Sequence, residues 1–425
     1  METGSIATIL ILLVFVLGYT GIVLEHVLKV SKSAIGLLIA VFCWVIYLAA
    51  SGRPLAEDLG ELGHHVSSVS QIIFFLMGAM ALVELIDSHK GFKIITDVIH
   101  TSSRRRLLWA ISLIAFFLSA VLDNLTTTIL MISLLRKLVK DPKERVSLSC
   151  MVVIAANAGG AWTPIGDVTT TMLWIDGQIS TFAVMKYLLA PSFISMIVPL
   201  LWFSYTSKGN YPNLKENLQE ERAEPGAKVV FYLGVGGLVF VPIFKTLTGL
   251  PPFMGILLSL GLLWVATDLM HHKFEKRSHL RVPSVLSKID TSSVLFFLGI
   301  LLCVDALQTA GILHELAGWL DRTLGNLPLI ATLIGIFSAI VDNVPLVAAC
   351  MGMYSLEQFP MDHPFWLMIA YAAGTGGSLL IIGSAAGVAM MGMEKMDFIT
   401  YMKKATIPVL LGFLLGMGSY LVFFY

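Results

Sequence analysis

Two short polar phrases lie inside long apolar runs: SAVLDNLT at 119–126 and SAIVDNVP at 338–345. Each sets an Asp-Asn pair, Asp123-Asn124 and Asp342-Asn343, where a membrane-spanning segment would run. An Asp at the centre of a spanning helix costs roughly 2.5–3.5 kcal/mol on insertion scales. A chain that carries this cost twice, 219 residues apart, has a use for both carboxylates. Carboxylate and carboxamide together offer oxygen ligands to a hard cation, and the negative charge offsets the cation's lost water. Burial also favours the protonated form of a carboxyl group. One such site can therefore hold either a cation or a proton.

A Gly-rich interruption follows each pair. The first is Asn157-Ala158-Gly159-Gly160, then Trp162-Thr163-Pro164 and Gly166-Asp167. The second is Gly374-Thr375-Gly376-Gly377-Ser378, then Gly383-Ser384. Gly159, Gly160, Pro164, Gly376 and Gly377 would break a helix and free its carbonyls. Irregular backbone at membrane depth is tolerated only when buried in protein or lining a cavity. Asp123, Asn124, Asp342 and Asn343 are thus the expected ligands of a hard cation, with Asn157, Thr163, Asp167, Thr375, Ser378 and Ser384 as further ion or proton ligands. Glu84 and Asp305 fall opposite one another when Gly78 is set on Gly299, and are secondary candidates for a proton path.

Each feature also has a plainer role. An Asp-Asn pair can cap a returning half-helix, and Asp167 can cap one after Pro164. Glycines in membrane helices can serve close packing. Thr126, Thr127 and Thr128 can bond back to their own helix, and Glu84 and Asp305 can snorkel to water. His64-His65 outside and His271-His272 inside are expected to be solvated loop residues, and Met390-Met391 packing residues. Cys43, Cys150, Cys303 and Cys350 lie in apolar runs without CxxC spacing, which argues against a disulfide framework or a zinc site.

The elements that must position these residues follow from hydropathy. The chain is 56% hydrophobic and 13% charged, against about 25% charged in soluble domains, so it is a polytopic membrane protein. No basic segment precedes the first apolar run from Ile6, which argues against a cleaved signal peptide. Full spans are expected at 6–24, 34–51, 70–89, 147–175, 182–206, 228–248, 253–270, 291–313, 363–392 and 401–424. Stretches 107–138 and 327–357 are too long for one span and short for two.

Basic residues orient them. Lys90, Lys93, Arg104, Arg105 and Arg106 precede the first stretch, and Arg136, Lys137, Lys140, Lys143 and Arg145 follow it. Short cytoplasmic loops collect Lys and Arg. Both ends then belong inside, and 107–138 becomes a re-entrant hairpin with its Asp-Asn pair at the tip. Letting 327–357 enter from outside places the N-terminus externally and 24 of the 28 Lys and Arg in cytoplasmic loops. The external four are Arg53, Lys186, Lys245 and Arg322.

The expected fold is all-α, with about ten full spans and two hairpins. Residues 1–206 form one repeat and 228–425 an inverted second one, each reading three spans, hairpin, broken span, span; 207–227 is a cytoplasmic linker. AANAGGAWTPIG at 155–166 matches AAGTGGSLLIIG at 372–383, and Phe74-Phe75-Leu76 recurs as Phe296-Phe297-Leu298. Inverted repeats with binding sites at broken helices are a common transporter plan.

Taken together, LDNLTTT at 122–128, NAGGAWTPIGDVTTTMLW at 157–174, VDNVP at 341–345 and GTGGSLLIIGSAAGVAMMG at 374–392 resemble the NhaD-type sodium/proton antiporters of the ion transporter superfamily. The resemblance covers nearly the whole chain. It implies sodium as the ion, a scaffold of outer spans, a transport domain holding both hairpins and both breaks, a homodimer, and an elevator-like movement. Symporters of that superfamily carry Ser-Asn-Thr at the tips. Here Asp stands in the Ser position and suits cations, and along the sequence no Arg or Lys lies near either tip. The expectation is exchange of cytoplasmic Na+, with Li+ as a second cation, for external H+ across a cell membrane, the bacterial inner membrane in particular. Beyond the monovalent cation, the proton and the bilayer, no cofactor and no nucleic acid is expected. The alternatives are a sodium-coupled carboxylate or oxyanion transporter and, more remotely, an intramembrane enzyme. For the latter no HExxH, GxSxG or P-loop is evident.

Overall fold

The computed structural model describes residues 5–96, 101–211 and 223–425. The expected linker falls mostly outside them. In chain order the helices are α1 Ser5–Val23, α2 Glu25–Leu28, α3 Lys32–Ala50, α4 Leu55–Ser88, α5 Lys93–Thr96, α6 Arg104–Ser119, α7 Asn124–Leu138, α8 Pro142–Gly160, α9 Val168–Ile175 and α10 Thr181–Thr206. After the linker come α11 Ala227–Thr248, α12 Pro252–His271, a 3-10 turn Glu275–Leu280, α13 Val282–Leu286, α14 Thr291–Thr309, α15 Ile312–Leu324, α16 Leu327–Phe337, α17 Asn343–Met353, α18 Pro364–Gly376, α19 Ala385–Glu394 and α20 Phe398–Phe424. No strand occurs among the described residues.

Eight of these, α1, α3, α4, α10, α11, α12, α14 and α20, are long and apolar enough to cross a membrane. Their outer faces leave large apolar side chains uncovered, among them Leu201, Trp202, Phe240, Leu262 and Val422. So much exposed apolar surface fits lipid and not water. The chain is an all-helical polytopic membrane protein. Stretches 147–175 and 363–392 are each two helices, α8 with α9 and α18 with α19.

Short polar side chains set many of the helix starts. Asp141, Ser180, Asp290 and Asp397 accept from backbone N–H groups of the first turns of α8, α10, α14 and α20, satisfying donors that have no partner within the helix. The core follows from composition. α8 is buried without interruption from Leu148 to Gly160, and α18 from Phe365 to Gly376. A helix apolar on every face is one surrounded on every face. Around α8 pack α6, α7, α10 and α19, and around α18 pack α10, α16, α17 and α20. An outer group joins α1 to α3, α3 to α14, and α4 to α11 and α12. The two groups meet where α4 touches α9 and α14 touches α17.

Four expectations need correction. The third span does not begin at 70: α4 starts at Leu55 and runs 34 residues, about 50 Å at the helical rise. His64 and His65 therefore ride on a helix, and His65 Nδ1 lies 3.3 Å from Asp305 Oδ1. His271 is buried at the end of α12, its Nε2 lying 3.1 Å from Nε2 of the buried His89. Neither is a solvated loop residue. Arg145, counted as a loop charge, is buried in α8 and paired with the carboxylate of Glu394 in α19 at 2.9 Å. Finally, the eighth span ends at Thr309 and not at 313, and α15, most of which lay between that span and the hairpin stretch, meets α16 at a 118° bend.

Candidate functional site

Each Asp-Asn pair stands at the start of a helix. Asp123 is the N-cap of α7: Thr126 N–H donates to Oδ1 at 2.7 Å and Thr126 Oγ1–H to Oδ2 at 2.6 Å. Asp342 is the N-cap of α17, with Val344 N–H donating to Oδ1 at 3.2 Å. The breaks end in the same way. Asp167 caps α9 and Ser384 caps α19, accepting from Thr169 and Gly387 N–H. Capping, the plainer role, is thus real at both tips and at Asp167. It does not exhaust the oxygens, since a carboxylate has four acceptor positions.

The breaks and tips are tied into one buried network. Asn124 Nδ2 donates to Asn157 Oδ1 at 3.1 Å. Asn157 Nδ2 donates across the two halves, to Ser378 Oγ at 2.8 Å and Ser384 Oγ at 2.9 Å. In the other direction Asn343 Nδ2 reaches Asp167 Oδ2 at 3.4 Å. Asp167 lies within electrostatic reach of both Asp123 and Asp342. The crossing has a simple geometry. Asn157 matches Gly374 and Asp167 matches Ser384 in the paired motifs. Asn157 extends to Ser384, while the bare Gly374 leaves room for Asp167, whose Oδ2 would lie 3.3 Å from a Cβ there.

Other candidates serve the scaffold of this junction. Thr163 Oγ1 donates to Ala120 O at 2.7 Å and ties the break to the tip. Thr375 Oγ1 donates back to Tyr371 O at 2.6 Å, within its own helix. Pro164 presents its carbonyl to Thr171 Oγ1 at 2.9 Å. Gly159 and Gly376 let helices touch backbone to backbone: a Cβ on either would overlap the carbonyl oxygen of Phe116 or Gly335. Gly160 and Gly377 face Gly166 and Gly383 in the same manner. Ser119 Oγ donates to Ala156 O at 2.6 Å and Ser338 Oγ to Ala373 O at 3.0 Å, the same contact at matched positions. The glycines therefore act here through close packing.

Two oxygens remain conspicuous. The hydroxyls of Thr127 and Thr128 are buried with no hydrogen-bond partner among the described residues. Thr127 and Thr128 lie three and four residues after Asn124, on its face of α7. Buried hydroxyls are normally satisfied, and these two are not bonded back to their helix. Glu84 and Asp305 are elsewhere. Glu84 Oε1 takes Ser88 Oγ–H at 3.2 Å and lies 3.9 Å from Lys288 Nζ, and Asp305 holds His65. No hydrogen bond or ion pair joins either to the junction among the described residues.

One residue escaped the sequence reading. Lys32, first in α3, places Nζ 3.4 Å from Asp342 Oδ2. A basic group does lie near a tip, though far away along the chain. The buried Tyr19 hydroxyl lies beside Asp342 as well.

The family described as citrate transporter matches residues 19–367. Sodium/proton antiporter 1 of Arabidopsis thaliana is 54% identical over 96% of this chain and 71% of its own length. Sodium/proton antiporter 2 of the same plant is 52% identical over 96% and 98%. The Na(+)/H(+) antiporter NhaD of Vibrio cholerae is 30% identical over 97% and 91%. These relatives are transporters, not enzymes. With the helix breaks and Asp-Asn tips in place, the chain belongs to the citrate transporter family and, within it, to the NhaD-type sodium/proton antiporters.

Proposed function

We propose that this protein exchanges cytoplasmic Na+, and Li+ in its place, for external H+. The observation that carries this reading is the state of the helix ends. The N-termini of α7, α9 and α17 carry partial positive charge that would suit an anion. Each is already occupied by a carboxylate of the chain: Asp123, Asp167 and Asp342. What the junction still offers is carboxylate, amide and hydroxyl oxygen, which suits a hard cation. Asp123 and Asp342 alternate between cation-bound and protonated forms. Asn124, Asn343 and the hydroxyls of Thr127 and Thr128 add oxygen, and Asn157 and Asp167 hold the two halves in register. Na+ and H+ are the ions named for the relatives, and coupling them requires only that they share these oxygens.

The same reading gives the architecture. The halves 1–206 and 228–425 form an inverted repeat, α6–α7 and α16–α17 are re-entrant hairpins from opposite faces, and the N-terminus is external. The matched serine-carbonyl and glycine-carbonyl contacts support it. The outer group around α3, α4, α11, α12 and α14 is the scaffold. The group around α8 and α18 is the moving body, in a homodimer.

A second reading keeps the family description literally and has Lys32 bind a carboxylate substrate. Against it, Lys32 is already neutralised by Asp342. The test is dye-reported ΔpH in inverted vesicles on adding NaCl, with labelled citrate counterflow alongside. Wild-type alkalinisation in both Asp123→Ala and Asp342→Ala refutes the assignment. Citrate counterflow without a sodium response selects the second reading.

A further inference from the structure

The two tips are not equivalent, and the difference lies three residues downstream of each Asp. Thr126 gives Asp123 both a backbone N–H and a hydroxyl, one to each carboxylate oxygen. The matched residue in the second half is Pro345, which has neither. Asp342 keeps a single cap bond, at 3.2 Å, to Oδ1. Its Oδ2 is met instead by the Lys32 ammonium, 310 residues away. Lys32 belongs to α3, which is fastened to α14: Ser33 Oγ donates to Ser292 O at 2.7 Å and Trp44 Nε1 to Leu302 O at 2.8 Å. The Lys32 backbone N–H is held by Glu25 Oε1 at 3.0 Å. In the same position the ammonium lies 4.4 Å from the centre of the Phe296 ring, a favourable contact for a cation. Lys32 and Asp342 are 26% and 17% exposed, so ions can reach the pair.

We propose that Lys32 is a built-in competitor for the transported cation, a residue that sets sodium affinity by occupying the Asp342 carboxylate while that carboxylate is empty. Sodium displaces the ammonium from Oδ2, and the contact with the Phe296 ring remains to hold it. Release of sodium lets it return, so the empty tip carries no naked charge and is latched to α3. This rests on the reading of Asp342 as a cation ligand given above. It is a matter of charge competition.

The test is equilibrium binding of radioactive sodium to purified protein, together with half-saturation and maximal rate of sodium-driven exchange in proteoliposomes. Lys32→Gln removes the competitor. Its sodium dissociation constant and half-saturation are expected to fall about three- to tenfold, as suits loss of a partly exposed ion pair. Lys32→Arg keeps the charge and is expected to stay within about twofold of wild type, as befits a retained cation. Lys32→Met replaces Lys32→Gln should the latter not fold. Unchanged or weakened sodium binding in the uncharged variant overturns the proposal, and so does an equal fall in Lys32→Arg. Asp342→Asn separates the two levels. If it binds sodium as wild type does, the reading of Asp342 fails. If it loses sodium while Lys32→Gln binds normally, only the competitor fails.

Discussion

Asn157 is one of the residues through which the two halves meet, and its removal has a calculable consequence. Its side chain is fully buried and makes three hydrogen bonds, to Asn124, Ser378 and Ser384. In Asn157→Ala, Ser384 still accepts from Gly387 N–H. The Asn124 amide and the Ser378 hydroxyl lose the side-chain partner on which each depends. A stranded buried polar group costs about 1–3 kcal/mol, so the two together cost about 2–6 kcal/mol, less if water enters the vacated space. At roughly 2 cal/mol/K of unfolding entropy per residue, this lowers the melting temperature of the purified protein by about 2–7 °C. Sodium half-saturation is expected to rise about tenfold, because Asn124 is no longer held at the tip and about 1.4 kcal/mol of binding is a tenfold change. Nanoscale fluorimetry and proteoliposome exchange read the two quantities. The decisive measurement is the double variant. If the halves are coupled here, Ser378→Ala added to Asn157→Ala costs less than it does alone, by about 0.5–3 kcal/mol. Strict additivity, or a single variant that melts and binds sodium like wild type, would refute the coupling.

Gly159→Ala and Gly376→Ala each force a methyl against a backbone carbonyl, and should lose folded protein on size exclusion, at about 1–3 kcal/mol or more, whereas Gly418→Ala meets open space and should behave as wild type. Arg145→Ala leaves the Glu394 carboxylate buried and unpaired, a loss of about 3–5 kcal/mol that thermal melting would register; the half-exposed Arg104–Glu144 pair should show under about 1 kcal/mol on Arg104→Ala. Thr127→Val and Thr128→Val remove buried hydroxyls that bond nothing among the described residues. Folding should survive, while sodium half-saturation rises severalfold if these oxygens meet the ion. Unaltered exchange in the double valine variant removes them from the site.

The class of the protein and the helix starts at Asp123 and Asp342 were readable because both are local. Apolar length marks spans, and an Asp-Asn pair inside an apolar run marks a helix start whose N–H groups need acceptors. The start of α4 was misread for an equally local reason: LAEDLGELGHH at 55–65 is polar but helix-forming, and hydropathy registers lipid contact, not helicity. The contact of His65 with Asp305 and the ion pair of Arg145 with Glu394 join distant segments and leave no periodic trace. Lys32 is the instructive case. Nothing around Lys32 points to Asp342, yet the second tip does signal a missing partner. Aligning the halves sets Pro345 on Thr126 and shows that one Asp has lost two donors its counterpart keeps. In a duplicated site, a donor that is present in one copy and absent in the other must be replaced from outside the repeat or left open for a ligand. At the second tip the structure places Lys32 against that oxygen, and a cation that takes its place must compete with a charge the chain already supplies.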